Sequence, residues 1–155
     1  MILGLFEGHI NVSNLERSSE FYEKIFGDSL ILINEEPARR SRFYWVGGVG
    51  KSMLGLRENY TQMVRQHFAF QTTVDGIRNA EKYLRDKGVT PTNFYGEESS
   101  ELYVFAAMPA VSIFFTDPDN HSIEFIAMLE GEPRPELGII PWNEWNKLNT
   151  ERKPL

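Results

Sequence analysis

Three side chains in this 155-residue sequence have the types and spacing to hold a divalent metal ion together: His9, His67 and Glu124. There are only three histidines, and two of them open short segments of similar make-up, GHINV and HFAFQ. His67 follows His9 by 58 residues, and Glu124 follows His67 by 57. Glu124 stands among Phe125, Ile126 and Met128, where a carboxylate is costly unless it is paired or bound to a metal. Two imidazoles and one carboxylate on one side of an ion leave positions open for water and substrate. Each residue also has an ordinary explanation: a strand histidine hydrogen-bonded in a core or facing solvent, or a carboxylate salt-bridged at a sheet edge. His121, the third histidine, lies an odd number of residues from Glu124. Alternation turns it away from the other three, and it reads as structural.

The elements that must position these groups repeat. Residues 2–12 read as a strand on which His9 and Asn11 share a face. A helix follows, with Ser13 and Glu16 at capping-box spacing and Leu15, Phe21 or Tyr22, Ile25 and Phe26 as its buried stripe. Gly27 ends it. Strands are expected at 29–33, 41–46 and 51–56. The same order then returns. Residues 66–74 form a strand with His67, Ala69 and Gln71 on one face. Asp75 caps a helix with the stripe Ile77, Ala80 and Leu84, which stops at Gly88. Residues 89–95 and 102–107 are weaker strand candidates, and 111–116 and 121–128 form a hairpin around the turn DPDN. The expected fold is therefore α+β, two βαβββ modules over residues 1–60 and 61–128 forming a cupped mixed sheet. One module alone could not bury both faces of its sheet. If a pseudo-twofold axis relates the modules, Glu124 on the last strand joins the two histidines. Asn11, Gln71 and Ser122 share strand faces with those ligands and are candidates to line a substrate site.

Composition narrows the function classes. The hydrophobic fraction of 41% suffices for a core, and no apolar run approaches the ~18 residues of a membrane span. The N-terminus lacks the positive flank of a signal peptide. Absence of cysteine excludes disulfides, thiolate metal sites and cysteine nucleophiles, and points to the cytoplasm. A net charge of −6 argues against a nucleic-acid partner. A small molecule is the expected ligand. Arg39, Arg40 and Arg42 are positioned to guide an anionic substrate, although a charged loop is usually only solvated. Residues 129–155 form a Pro-rich tail that turns amphipathic, with Trp142 and Trp145 sharing a helix face. Those rings are expected on the back of the sheet, over a site mouth or on a partner subunit.

The segments GHINVSNLERSSEFYEKIFG, HFAF and FTDPDNHSIEF, in that order and at repeat spacing, resemble the vicinal oxygen chelate superfamily of glyoxalases, bleomycin-resistance proteins and extradiol dioxygenases. The resemblance implies a metal-centred enzyme whose ion binds vicinal oxygens of a substrate. It also implies that both modules build the site and that dimerisation often completes it. Glyoxalase I-type lyases carry a fourth ligand, a Glu, where this chain has Gly55, and Glu58 is a poor replacement. The His, His, Glu set is closest to the fosfomycin-resistance branch, although Asn11 and Phe114 replace that branch's Thr and Tyr. Ser112 is similar to one of its substrate-contacting serines. Val104 and Phe105 occupy the region where extradiol cleavage needs a histidine.

The sequence thus leads to a homodimeric glyoxalase-like lyase, isomerase or thiol/water-addition enzyme. It would hold one divalent ion (Mn, Ni, Zn or Fe) on His9, His67 and Glu124, with no general base identified. A rival reading from another class is a metal-free, drug-sequestering binding protein of the same fold. A third is an interaction domain working through its tryptophan tail.

Overall fold

The computed structural model describes residues 2–59, 61 and 63–150. The chain forms two compact units. One runs to Gln66 and includes Asp117–His121; the other takes His67–Thr116 and the chain from Ser122 onward. The architecture is α+β, with a four-stranded and a five-stranded sheet among the described residues.

In the first unit β1 (Glu7–Val12) leads into α1 (Leu15–Phe26) and then β2 (Leu30–Asn34), β3 (Ser41–Val46) and β4 (Ser52–Glu58). The strand order is β1-β4-β3-β2. β1 runs parallel to β4, the others antiparallel. This is the βαβββ module: the helix carries the chain over so that the last strand pairs with the first. Ile10 and Val12 of β1, Leu54 and Leu56 of β4 and Tyr44 of β3 are fully or almost fully buried, as are Leu15, Tyr22 and Ile25 of α1. Period-two and period-3.6 patterns meet in that core. Of Phe21 and Tyr22, the tyrosine is the buried one. Gly27 ends α1 with φ +71° and its N–H on Glu23 O, a conformation glycine adopts without steric cost.

The capping box expected at Ser13 does not form. Asn14 is the N-cap, its Oδ1 accepting from Arg17 N at 2.8 Å. Ser13 is recruited elsewhere, donating its N–H to Asp119 Oδ2 at 3.0 Å and its hydroxyl to the same carboxylate. Glu16 pairs with Arg40 rather than reaching back to Ser13.

The second unit repeats the order. β5 (His67–Gln71) is followed by α2 (Val74–Arg78), α3 (Ala80–Asp86), β6 (Tyr103–Phe105), β7 (Ala110–Thr116) and β8 (Ser122–Met128). β5 pairs in parallel with β8, as β1 does with β4. The helix expected after residue 75 is two pieces meeting at Asn79, and its cap is Thr73, whose Oγ1 accepts from Gly76 N at 3.0 Å. Ile77, Ala80 and Leu84 are buried as a stripe, and Glu81 and Arg85 pair at 3.1 Å on the outer face. Of the two weaker strand candidates, 102–107 contains β6. Residues 89–95 contribute only Thr92, which exchanges backbone hydrogen bonds with Phe114 of 2.7 and 3.0 Å.

The tail packs in cis. After a 3-10 turn at Pro135–Leu137, β9 (Ile139–Pro141) pairs antiparallel with β6 and makes it an interior strand. α4 (Trp142–Thr150) then buries Trp142 and Trp145, leaving them 8% and 2% exposed. Arg78 lies over the Trp142 ring, 4.4 Å from its centroid, a cation–π contact that shields the indole further. The two rings therefore offer no free surface for a partner.

Candidate functional site

Strand register decides which side chains share a face. In the second unit His67, Ala69 and Gln71 stand beside Ser122, Glu124 and Ile126. Glu124 is opposite Phe114, and Ser112 opposite Ile126. These residues occupy the face of the sheet away from the helix-packed core of Val111, Ile113, Phe115, Ile123 and Ala127.

Glu124 is the centre of this face. Its side chain is 7% exposed, and its two oxygens are divided between two neighbours. Ser112 Oγ donates to Oε1, and His67 Nε2 lies 3.1 Å from Oε2. The other ring nitrogen, His67 Nδ1, is 3.1 Å from the backbone oxygen of Ser122, with Ser122 Oγ further off at 3.3 Å. The tautomer sets the roles: an Nδ1–H donates to the Ser122 carbonyl and leaves the Nε2 lone pair facing Glu124, whereas an Nε2–H donates to Glu124 and leaves Nδ1 to accept from the Ser122 hydroxyl. Either way the ring is held between Ser122 and the carboxylate.

In the first unit, His9 stands opposite Gly55 and beside Glu7 and Asn11 on the same face of β1. Its Nε2 pairs with the Glu7 carboxylate, while Nδ1 is buried without a hydrogen-bond partner. A neutral imidazole donating from Nε2 leaves its lone pair on the buried Nδ1. Gly55 makes room for the ring. A Cβ at that position would lie 2.7 Å from His9 Nδ1 and 2.9 Å from Phe43 Cε1, and Phe43 packs edge-on against the imidazole at 5.6 Å. A fourth carboxylate ligand at residue 55 is thus sterically incompatible with this placement of His9. Glu58 is engaged elsewhere, accepting from Leu15 N at 3.1 Å and pairing with Arg40 at 2.7 Å.

His67 and Glu124 therefore converge within one unit, and His9 belongs to the other. Among the described residues, no group of three or more His, Cys, Asp or Glu side chains is gathered as a metal-holding cluster. The residue types nevertheless suit a divalent ion: in the second unit an imidazole nitrogen 3.1 Å from a buried carboxylate, and in the first an imidazole with an unpartnered buried nitrogen.

Asn11 shares the His9 face, and its backbone is hydrogen-bonded. Its N–H donates to Gln66 Oε1 at 3.1 Å, and its carbonyl accepts from His121 Nε2 at 2.8 Å. His121 is fully buried, and its Nδ1 accepts from Gln66 N at 3.0 Å. Its structural role is plain: together with the Gln66 side chain it satisfies the open edge of β1. Gln71 lies exposed at the end of β5. Arg40 and Arg42 are tied up by Glu16, Glu35 and Glu58, so neither is a free guide for an anion.

The turn Asp117–His121 is a polar knot of the first unit. Asp117 Oδ1 accepts from the N–H groups of Asp119 and His121 at 3.0 and 2.8 Å, and Tyr22 donates to Oδ2 at 3.0 Å. Burial raises the Asp117 carboxyl above its ordinary range. Burial, then the nearby Asp117 charge, raises the Tyr22 phenol. For Asp119, burial works against the charge, but Ser13 and then Arg17, at 2.6 Å, outweigh it. Its carboxyl sits below the usual value.

Two features escaped the reading by residue type. One is Glu7, which alternation from His9 already put on the same face. The other is a set of aromatic rings beside Glu124. His67 stacks on Phe114 at 6.2 Å, and Phe114 meets Phe94 and Phe105 edge-on at 6.1 and 6.4 Å. Phe94 meets Phe105 at 5.4 Å, and Tyr95 meets Tyr103 at 6.0 Å.

Comparison with known proteins agrees with the fold. Residues 3–125 match the Glyoxalase/Bleomycin resistance protein/Dioxygenase superfamily, and the chain belongs to it. An integron cassette protein from the mobile metagenome of the Halifax Harbour sewage outfall is 36% identical, with a TM-score of 0.67 over 82% of this chain and 100% of that one. The oxidase ChaP-H2 is 17% identical, with a TM-score of 0.62 over 86% and 100%. A variant of the fosfomycin resistance protein FosX from Listeria monocytogenes, complexed with Mn(II) and 1S,2S-dihydroxypropylphosphonic acid, is 21% identical, with a TM-score of 0.57 over 83% and 95%. At those identities the last two speak for the fold alone. Among the described residues no helix is long and apolar enough to cross a membrane.

Proposed function

We propose that this protein is a divalent-metal-dependent enzyme of the glyoxalase superfamily. It acts on a small oxygen-rich substrate by lyase, isomerase or thiol/water-addition chemistry, as a homodimer in the cytoplasm. The observation that carries the reading is the 3.1 Å approach of His67 Nε2 to the buried Glu124 carboxylate. His67 and Glu124 are two of the ligands, and His9, through its unpartnered buried nitrogen, is the third. The Mn(II) bound by the FosX relative makes manganese the first ion to test, followed by Ni, Zn and Fe.

A bound ion of this kind supplies Lewis acidity, polarising a substrate oxygen. The chain's own residues do the positioning. The Ser112 hydroxyl holds Glu124 Oε1 and fixes the plane of the carboxylate. Ser122, through its carbonyl and hydroxyl oxygens, holds the far nitrogen of His67. Asn11, Gln71 and Ser122 share faces with the ligands and are the candidates to orient a substrate.

The homodimer is supported by exposed apolar surface on the edge strand β2, where Leu30, Ile31, Leu32 and Ile33 are 38–53% exposed. An apolar sheet edge in water invites pairing with another chain.

The test is metal content of protein purified without a histidine tag, read by elemental analysis and by thermal shift with added Mn²⁺, Ni²⁺, Zn²⁺ or Fe²⁺. Wild type should hold about one ion per chain, and His67→Ala and Glu124→Ala should each hold none. Mixing His9→Ala with His67→Ala chains tests whether a second copy completes the ligand set, because one intact site then forms per mixed dimer. No bound metal and no shift with any ion would sink the enzyme reading. The drug-sequestering alternative would then take its place, favoured by the exposed aromatic rings beside Glu124.

A further inference from the structure

Glu7 carries its carboxylate on the His9 face of β1, opposite to the side on which Ile10 and Val12 enter the core. It is the first residue of the strand, yet its backbone is well anchored. Phe6 O accepts from Met53 N at 2.7 Å, Glu7 itself stands in register with Met53, and the Phe6 ring meets Trp45 edge-on at 6.3 Å. The Glu7 side chain is 37% exposed and lies along the strand on His9 Nε2. Its ion-pair partner among the described residues is this histidine, not a lysine or arginine.

The proton positions follow from that pairing. An ionised carboxylate only accepts, so the hydrogen between the two groups is on Nε2. A second hydrogen on Nδ1 would be stranded, because that atom is buried without a partner and an unmatched buried donor costs its desolvation. Reversal of the ring is hindered. Phe43 packs edge-on against it at 5.6 Å, and the ring fills the space that a Cβ on Gly55 would take. Held in this way, the imidazole keeps Nε2 on Glu7 and its lone pair on Nδ1. The arrangement is particular to the first module. At the matching place two residues before His67 stands Arg65, which has no acceptor. His67 turns its Nε2 to Glu124 on the neighbouring strand instead.

We infer that Glu7 is a positioning residue for the metal centre: by accepting the Nε2 hydrogen of His9, it makes Nδ1 the ligating nitrogen. This rests on the proposed metal site for the ion, while the tautomer itself needs no metal. A carboxylate behind a ligating imidazole fixes its orientation and raises its basicity. Glu7 therefore acts on the ion only through His9.

Long-range proton–nitrogen correlation spectra of the full-length ¹⁵N-labelled protein at neutral pH, before and after addition of diamagnetic Zn²⁺, test this. There are three histidines, and His9 is the one whose signals vanish in His9→Gln. In the metal-free protein His9 should show its hydrogen on Nε2, and Zn²⁺ should shift Nδ1. Glu7→Leu should lose the single tautomer and weaken Zn²⁺ binding about ten-fold by calorimetry. Glu7→Gln, whose amide oxygen still accepts, should keep the tautomer and most of the affinity. The thermal midpoints of both variants should stay at the wild-type value, which separates this role from a structural one. A hydrogen on Nδ1 in the metal-free protein, a Zn²⁺-induced shift at Nε2, or a tautomer and affinity indifferent to Glu7→Leu would each overturn the inference and leave the metal site standing. No uptake of Zn²⁺ would instead remove the metal site, and the ligand role of Nδ1 with it.

Discussion

Glu124 and His67 were legible as a pair because both sit at strand positions where residue type and alternation leave few alternatives. A carboxylate inside an apolar strand needs a partner, and the register of β5 on β8 supplies an imidazole. Ser122 falls into place by the same alternation, whereas Ser112 was picked out by the family resemblance. What could not be read from the sequence is how each imidazole is protonated, since that depends on which atoms its second nitrogen meets: Ser122 O for His67, nothing for His9. Gly55 gives the sharpest residue-scale prediction. Gly55→Ala puts a methyl group against the rings of His9 and Phe43, and overpacking of this kind costs about 1–3 kcal/mol. The urea midpoint should fall, and Mn²⁺ affinity with it, because the ring that must move carries the unpartnered nitrogen. A variant with unchanged midpoint and unchanged Mn²⁺ titration would show that His9 has room to spare and that Gly55 does not set its position.

Among the elements, helix starts were the least faithfully read. Both helical segments were given caps one or two residues away from the observed ones. For α1 the reason is tertiary: Ser13 has the right chemistry for a cap, but Asp119, far along the chain, takes both its N–H and its hydroxyl. The same contact makes a pH prediction. Asp119 has a folded-state pKa below its unfolded one, so its stabilisation is complete above the unfolded value of about 4. It is lost as pH falls toward the folded value. Asp117, raised by burial, works in the opposite sense: its contribution is complete below the unfolded value and is lost as pH rises through the folded one. Asp119→Asn should therefore flatten the acid limb of the stability curve, measured as urea midpoints from pH 6 downward to about pH 3. An acid limb as steep as that of wild type would mean that other carboxylates carry the acid sensitivity.

For the whole molecule the repeat was the decisive signal, and it survives as two sheets in which the first strand pairs in parallel with the last. The tail was not legible to the same degree. Its apolar residues announced that it must be covered, but three covers were compatible with them. β9 pairing on β6 and the burial of Trp142 and Trp145 give the answer. Exposed apolar surface includes β2, with four apolar residues on a sheet edge. On the proposed homodimer, Leu32→Lys should lower the mass seen by sedimentation velocity from dimer toward monomer while leaving the far-ultraviolet circular dichroism intact. A dimer that withstands this charge would have its interface elsewhere on the molecule.

The sequence alone determined the module and its face assignments. Those follow from local periodicity, and side chains two residues apart on a strand share a face in any fold. Only the tertiary structure decided that Asp119 takes Ser13 away from its helix, that Gly55 yields its space to His9, and that Phe94 meets Phe114. Each of these joins residues from different elements, and no local pattern encodes which distant group will reach a donor or a cavity first.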